Sequence, residues 1–213
     1  MALMNDIVSR LADELVKLPS IGPRAAGRLA EFMLRNRQTS STIIAALSGS
    51  IERVTSCSLC NRLIVGTSGD QCDICSDSRR DHATLMIVAK DSDIRAIERF
   101  SLFHGVYYVL GGYIPLTVKD MNDHHFVQGL IASLKLRSQN VQTIPTQAVD
   151  KIIVALNATT EGEHTLHAVQ QAVGMAFPTI EISTLGRGLS TGSELEYVDN
   201  ATFKAALESS KRL

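Results

Sequence analysis

The stretch CSLCNRLIVGTSGDQCDIC, residues 57–75, holds all four cysteines of the chain. Their spacing, Cys57-x2-Cys60-x11-Cys72-x2-Cys75, makes two C-x-x-C turns. Each turn can aim two thiolates at one ion, and two turns complete a tetrahedral site of the kind that suits Zn2+. Two disulfides or a redox pair are the alternatives. The N-terminus shows no secretory pattern, so a reducing, cytoplasmic compartment is expected, and redox work does not need the doubled motif. The expected centre is a closed, structural zinc site. Gly66, Gly69 and several small polar residues fill the segment, so something other than a hydrophobic core is expected to hold it, and the metal would supply that. Arg62, Arg79 and Arg80 lie nearby in sequence and are candidates to offset the negative metal-thiolate charge; as a DNA-contact patch they are weaker, because surface arginines are usually solvated.

On the N-terminal side of the cysteines the texture is helical. Ile7, Leu11, Leu15 and Leu18 follow the period of an amphipathic helix over 6–17, and Ala26, Leu29, Phe32 and Met33 repeat the style over 23–36. A third helix is expected over 39–54, with Thr39 or Ser40 as its cap and a face of Ile43, Ile44, Leu47 and Ile51. On the C-terminal side, residues 84–89, 106–110, 151–156 and 179–184 are short apolar, β-branched runs, with helical stretches near 92–103, 123–137 and 162–176 between them. That alternation predicts a parallel α/β sheet. An irregular Gly-rich loop over 185–193 precedes a last expected helix near 200–211.

With 213 residues, 45% of them hydrophobic and 20% charged, the chain has room for one substantial core and smaller modules. No run approaches a membrane span of roughly 20 apolar residues. A formal net charge of −1 gives no global attraction to nucleic acid, so any such binding must come from local charge placement. The split is mild: residues 1–80 carry ten Lys/Arg against eight Asp/Glu, and the remainder eleven against fourteen.

Local placement is what LPSIGPRAAGRLA, residues 18–30, provides. Pro19 stops the first helix, Gly22 is expected to take positive φ, and Pro23 suits the first position of the next helix. The exposed N–H groups and dipole of that helix start attract phosphate, and Arg24 and Arg28, four apart, reach the same side. An ordinary helix–helix turn with solvated charges serves the periodicity equally well. The stretch resembles the helix-hairpin-helix element that opens the bacterial RecR family of recombination mediators. The cysteine spacing follows in the same order. So do DIRAIE (93–98), GVYYVLGG (105–112), NATTEGE (157–163) and ELEYVD (194–199), the second and third of them similar to family segments.

The resemblance implies an α+β, multi-module chain: a helix-hairpin-helix DNA-binding region over 1–54, a four-cysteine zinc finger over 55–78, an α/β Toprim domain with a parallel sheet over 79–176, and a C-terminal irregular and helical oligomerisation region over 177–213. It further implies a homo-oligomer, dimer to tetrameric ring, that clamps DNA without sequence preference through Lys17, Gly22, Arg24 and Arg28. Such a protein works with RecO and RecF to help load RecA at gaps. Catalytic Toprim proteins end their first strand with a glutamate and hold Mg2+ with a second acidic pair. Glu161 and Glu163 match that pair and are expected to face a partner such as RecO. The first acid is replaced by Ala89, which has no oxygen to bind metal or take a proton. Asp91 and Asp93 sit on the following turn, and Asp93 suits a helix cap. The expectation is a protein that is not an enzyme; the alternative is a Mg2+-dependent Toprim DNA-cleaving enzyme. His164 and His167 are a weaker metal candidate with no third ligand specified, and neither Gly111-Gly112 nor Gly186-Arg-Gly188 is a phosphate loop.

Overall fold

The computed structural model describes residues 2–18, 20–66, 70–118, 120–121, 123–139 and 148–186. Pro19, the helix expected near 200–211, most of the 185–193 loop and the 194–199 segment lie outside these residues. The chain divides into two compact units, Met1–Thr55 and Ser56–Leu213.

The first unit is three helices: α1 (Ala2–Val16), α2 (Pro23–Arg35) and α3 (Arg37–Ile51). α1 packs chiefly against α2, whose Ala26 and Ala30, one turn apart, are fully buried; small side chains there let the two helices approach closely. The left-handed residue of the turn between them is Ser20, at φ 64°. Gly22, expected in that role, is extended at φ −82°, ψ 168°. It is the N-cap of α2 and precedes a proline, and both positions demand extended backbone, so the reversal falls two residues earlier. α3 starts before Thr39 and ends before residue 54. Its N-cap is Asn36, which also caps the end of α2 by donating Nδ2 to the Phe32 carbonyl at 2.8 Å. Ser40, expected as the cap, donates instead to the Met33 carbonyl at 2.7 Å. Ile43, Ile44, Leu47 and Ile51 do share a face of α3, and all four are exposed.

After α3 a short ribbon, β1 (Val54–Ser56) with β2 (Leu63–Val65), frames the first C-x-x-C turn, and one-turn helix α4 (Asp73–Ser76) carries the second. Beyond them β3 (Asp81–Val88), β4 (Gly105–Val109), β5 (Lys151–Ala155) and β6 (Glu181–Thr184) form a sheet in the order β4-β3-β5-β6 with every neighbouring pair parallel. The connecting helices are α5 (Asp91–Glu98), α6 (His125–Gln139) and α7 (Thr160–Ala176). Parallel strands covered on both faces must be apolar on both, which is why β3 and β4 read as continuous hydrophobic runs. Leu85, Ile87, Val106, Tyr108, Ile152 and Val154 pack on α6 and α7. On the opposite face Met86, Val88, Tyr107 and Val109 meet Ile94 of α5 together with Leu59, Ile74 and all four cysteines. The cysteine segment therefore does share a hydrophobic core, contrary to the expectation from its composition.

α5 ends at Glu98 rather than near 103. Ser101 takes a left-handed φ of 51°, and Phe103 turns back to pack edge-on against Tyr107, ring centres 5.1 Å apart. Phe100 and Leu102, which extended the apparent helical pattern, are exposed loop residues.

Candidate metal centre and nucleic-acid interface

The four cysteines are buried, and their Sγ atoms all lie within 4.8 Å of one another. Two local devices bring them there. Asn61, at φ 59°, bends the chain so that its N–H returns to the Cys57 carbonyl at 2.9 Å, closing the first turn. Cys72 caps α4, its Sγ accepting the Cys75 N–H at 3.4 Å, while the Cys72 N–H reaches Cys57 Sγ at 3.3 Å. Such N–H···S bonds favour thiolates. The Cys60 and Cys72 sulfurs approach to 3.5 Å. A metal about 2.3 Å from each of four tetrahedral sulfurs spaces them about 3.8 Å apart, so the donor set fits a tetrathiolate centre. The sulfurs act on one another: Cys57 is held below the usual thiol value, chiefly through its neighbour Cys60, while Cys60 is pushed up, chiefly through Cys57. Four thiolates converging on one point repel one another, the condition a cation relieves.

The arginines expected beside this charge are divided. Arg62 Nη1 pairs with Asp73 Oδ1 at 2.6 Å; partial burial opposes its charge, but Asp73 and then Cys72 outweigh that and raise its pKa. Arg79 binds Asp77 in an exposed pair. Arg80 is committed elsewhere, to Glu98 and the Gly105 carbonyl. Besides Arg62, which acts on Cys72, a second cation lies against the sulfurs that the sequence did not mark: Arg137 of α6, fully buried, with Nη2 3.2 Å from the Leu59 carbonyl and 3.6 Å from Cys75 Sγ. An arginine in the last turn of a helix reads as a solvated complement to the helix dipole, so no local signal singles it out.

At the end of β3 stands Ala89, buried, its carbonyl accepting the Gly111 N–H at 3.0 Å. Asp91 does not turn toward the acidic pair; its Oδ1 accepts the Leu63 N–H at 3.0 Å, tying α5 to the β1–β2 ribbon. Asp93 accepts the Lys90 N–H at 3.0 Å, the capping role expected of it. Glu161 and Glu163 lie in the first turn of α7, which Thr159 caps by accepting the Gly162 N–H at 3.2 Å. Among the described residues, the cysteines are the only group of three or more His, Cys, Asp or Glu whose ligand atoms gather on one point. Glu161, Glu163, His164 and His167 are not so gathered.

In the first unit, Gly22, Pro23, Arg24, Ala25 and Arg28 line an open recess of about 530 Å3 at the start of α2. No side chain caps this helix start, and its first intrahelical bond is Ala26 N–H to the Gly22 carbonyl at 2.9 Å. The N–H groups of Arg24 and Ala25 therefore have no partner within the helix. Arg24 and Arg28 are exposed. Lys17 does not line the recess; its Nζ pairs with Glu14 at 2.7 Å in an exposed ion pair.

A four-stranded parallel sheet with an acidic turn at the start of α7, and a tetracysteine knuckle built onto one face, defines a Toprim-class protein; the family model for the Toprim domain matches residues 83–185. The chain is 36% identical over 205 residues to the Recombination protein RecR of Chelativorans sp. (strain BNC1), covering 95% of this chain and 94% of that one. To the Recombination protein RecR of Ligilactobacillus salivarius (strain UCC118) it is 35% identical over 203 residues, 94% of each chain. With that of Rubrobacter xylanophilus the identity is 36% over 208 residues, 97% of this chain and 96% of the relative. The chain belongs to the RecR family. No helix among the described residues is long and apolar enough to cross a membrane.

Proposed function

We propose that this chain acts in recombinational DNA repair as a DNA-binding mediator that performs no chemistry on DNA itself. The observation that carries the proposal is the bare start of α2, where unpartnered N–H groups, the helix dipole and two exposed arginines converge on one open recess. Phosphate contacts of this kind position a protein on the backbone and carry no base readout, so binding is independent of sequence. Gly22, Arg24 and Arg28 are the contact residues. Lys17 joins them by leaving Glu14, since an exposed ion pair is worth only about 0–1 kcal/mol.

Family membership supports the finer assignments. In these, several copies assemble through the N-terminal region and residues 177–213, from a dimer to a tetrameric ring, multiplying weak phosphate contacts into a clamp in the cytoplasm. The Toprim domain serves as a platform on which Glu161 and Glu163 meet basic partners, RecO above all, and with RecF the complex helps load RecA at gaps. Cys57, Cys60, Cys72 and Cys75 hold Zn2+, which in this position is structural and closes the knuckle. Ala89 supports the non-enzymatic reading, because the strand end that would need a metal-binding acid offers only a methyl group.

The test is fluorescence anisotropy of gapped DNA titrated with the wild type and with Arg24→Ala/Arg28→Ala over a salt series. The double variant is expected to bind at least tenfold more weakly and to lower the salt slope by about two, with fold and metal content unchanged. Equal affinity and slope would remove the hairpin from the interface.

A further inference from the structure

Arg137 has no solvent exposure, and two of its three guanidinium nitrogens, Nε and Nη1, find no acceptor among the described residues. None of the ion pairs formed by the described residues includes it. The third nitrogen, Nη2, faces the Leu59 carbonyl and Cys75 Sγ. One helical turn earlier on α6, Ser133 donates to the same Leu59 carbonyl. Leu59 sits between the first two cysteines and is itself fully buried, so α6 grips the knuckle at its centre.

A guanidinium cannot shed its proton, and burying its charge without an anion is strongly unfavourable. Four neutral thiols do not supply that anion. A divalent metal held by four thiolates does, with a formal charge of −2. Arg62 also acts on Cys72, but it is partly exposed to water and shares its charge with Asp73, so it does not answer the buried charge of Arg137.

We infer that Arg137 is the internal counter-cation of the metal–tetrathiolate centre, a positioning residue whose charge holds the metal in the knuckle and the knuckle against α6. The inference rests on the metal reading of the four cysteines proposed above. It has two consequences of opposite sign. Neutralising Arg137 weakens metal binding, and it relieves the metal-free protein of an uncompensated buried charge.

The experiment compares full-length wild type, Arg137→Met, Arg137→Lys and Ser133→Ala. Metal per chain comes from elemental analysis, Zn2+ affinity from competition with a chromophoric chelator, and thermal stability from loaded and chelator-stripped protein. The Co2+-loaded forms are read by absorption. Arg137→Met is expected to lose tenfold or more in Zn2+ affinity, in the range typical for partners of metal ligands. Its sulfur-to-cobalt charge-transfer band should shift to lower energy, because removing a nearby cation raises the sulfur lone pairs. Its stripped form should melt no lower than stripped wild type. Arg137→Lys keeps the charge and should restore the band, and Ser133→Ala should leave the band in place. Wild-type affinity and an unmoved band in Arg137→Met would overturn the inference. So would an equal loss of stability in the loaded and stripped forms, which marks a packing role. A wild type with no bound metal would overturn the metal reading itself, and the inference with it.

Discussion

Gly22 and Gly162 show how little a glycine's neighbours in sequence reveal about its purpose. Gly22 stands in a turn before a proline, yet its backbone is extended and a Cβ there would meet nothing within 4 Å. Gly162 lies inside a helix, where glycine costs about 1 kcal/mol relative to alanine, and a Cβ there would fall 1.9 Å from the Asn157 carbonyl oxygen. The chain leaving β5 crosses directly over the start of α7, so only hydrogen fits. Gly22→Ala is therefore expected to cost no more than about 1 kcal/mol, the difference in N-cap preference. Gly162→Ala should cost about 3 kcal/mol or more, because backbone rather than a flexible side chain must move. Urea unfolding of the two variants checks the ranking; equal costs would contradict it. The same pair marks a limit of reading sequence. The NATTEGE segment identifies the family, but the close approach that requires its glycine is a property of the folded crossing.

At the scale of elements, the parallel sheet was legible because each strand is a short β-branched run between helical patterns, and burial on both faces demands such runs. The clustering of the four cysteines was legible because two C-x-x-C turns have one economical geometry. The way the knuckle sits was not, since Cys75 meets Arg137 across 62 residues and Leu59 meets Ser133 across 74. The length of α5 was also hidden. It ends where Glu98 is taken up by Arg80, whose Nη1 lies 2.9 Å from Oε1, and by the Tyr107 hydroxyl, which donates to Oε1 at 2.6 Å. This clasp joins the start of β3, the end of α5 and β4. The Arg80 bonds hold the Glu98 carboxyl below the ordinary glutamate value of 4.5, with partial burial opposing and Tyr107 adding to the lowering. A carboxyl depressed in the folded state contributes stability that is complete above its unfolded value and lost as pH falls through its folded one. The stability gap between wild type and Glu98→Gln should accordingly narrow as pH drops from about 6 to about 3. A gap constant with pH, followed by thermal melts, would mean the clasp acts through packing alone.

For the molecule as a whole, the proposed function divides the work between the two units. The helical unit offers phosphate an uncapped helix start and two arginines, while the Toprim unit retains the acidic pair of its class at α7 and lacks the acid at β3. A net charge of −1 makes each isolated contact weak, which is why the proposed function invokes an assembly of copies rather than a single strongly basic face to hold DNA. A Toprim fold with Ala89 in place is expected to bind DNA and leave its covalent structure alone. The most direct test is to incubate the purified, metal-loaded protein with supercoiled, nicked and gapped DNA in Mg2+ and then in Mn2+, scoring strand breaks and linking number alongside binding. The DNA is expected to be bound and recovered unchanged. Cleavage or relaxation that disappears in Glu161→Ala would contradict that expectation, and would show that the acidic pair organises a working metal site without a carboxylate at position 89.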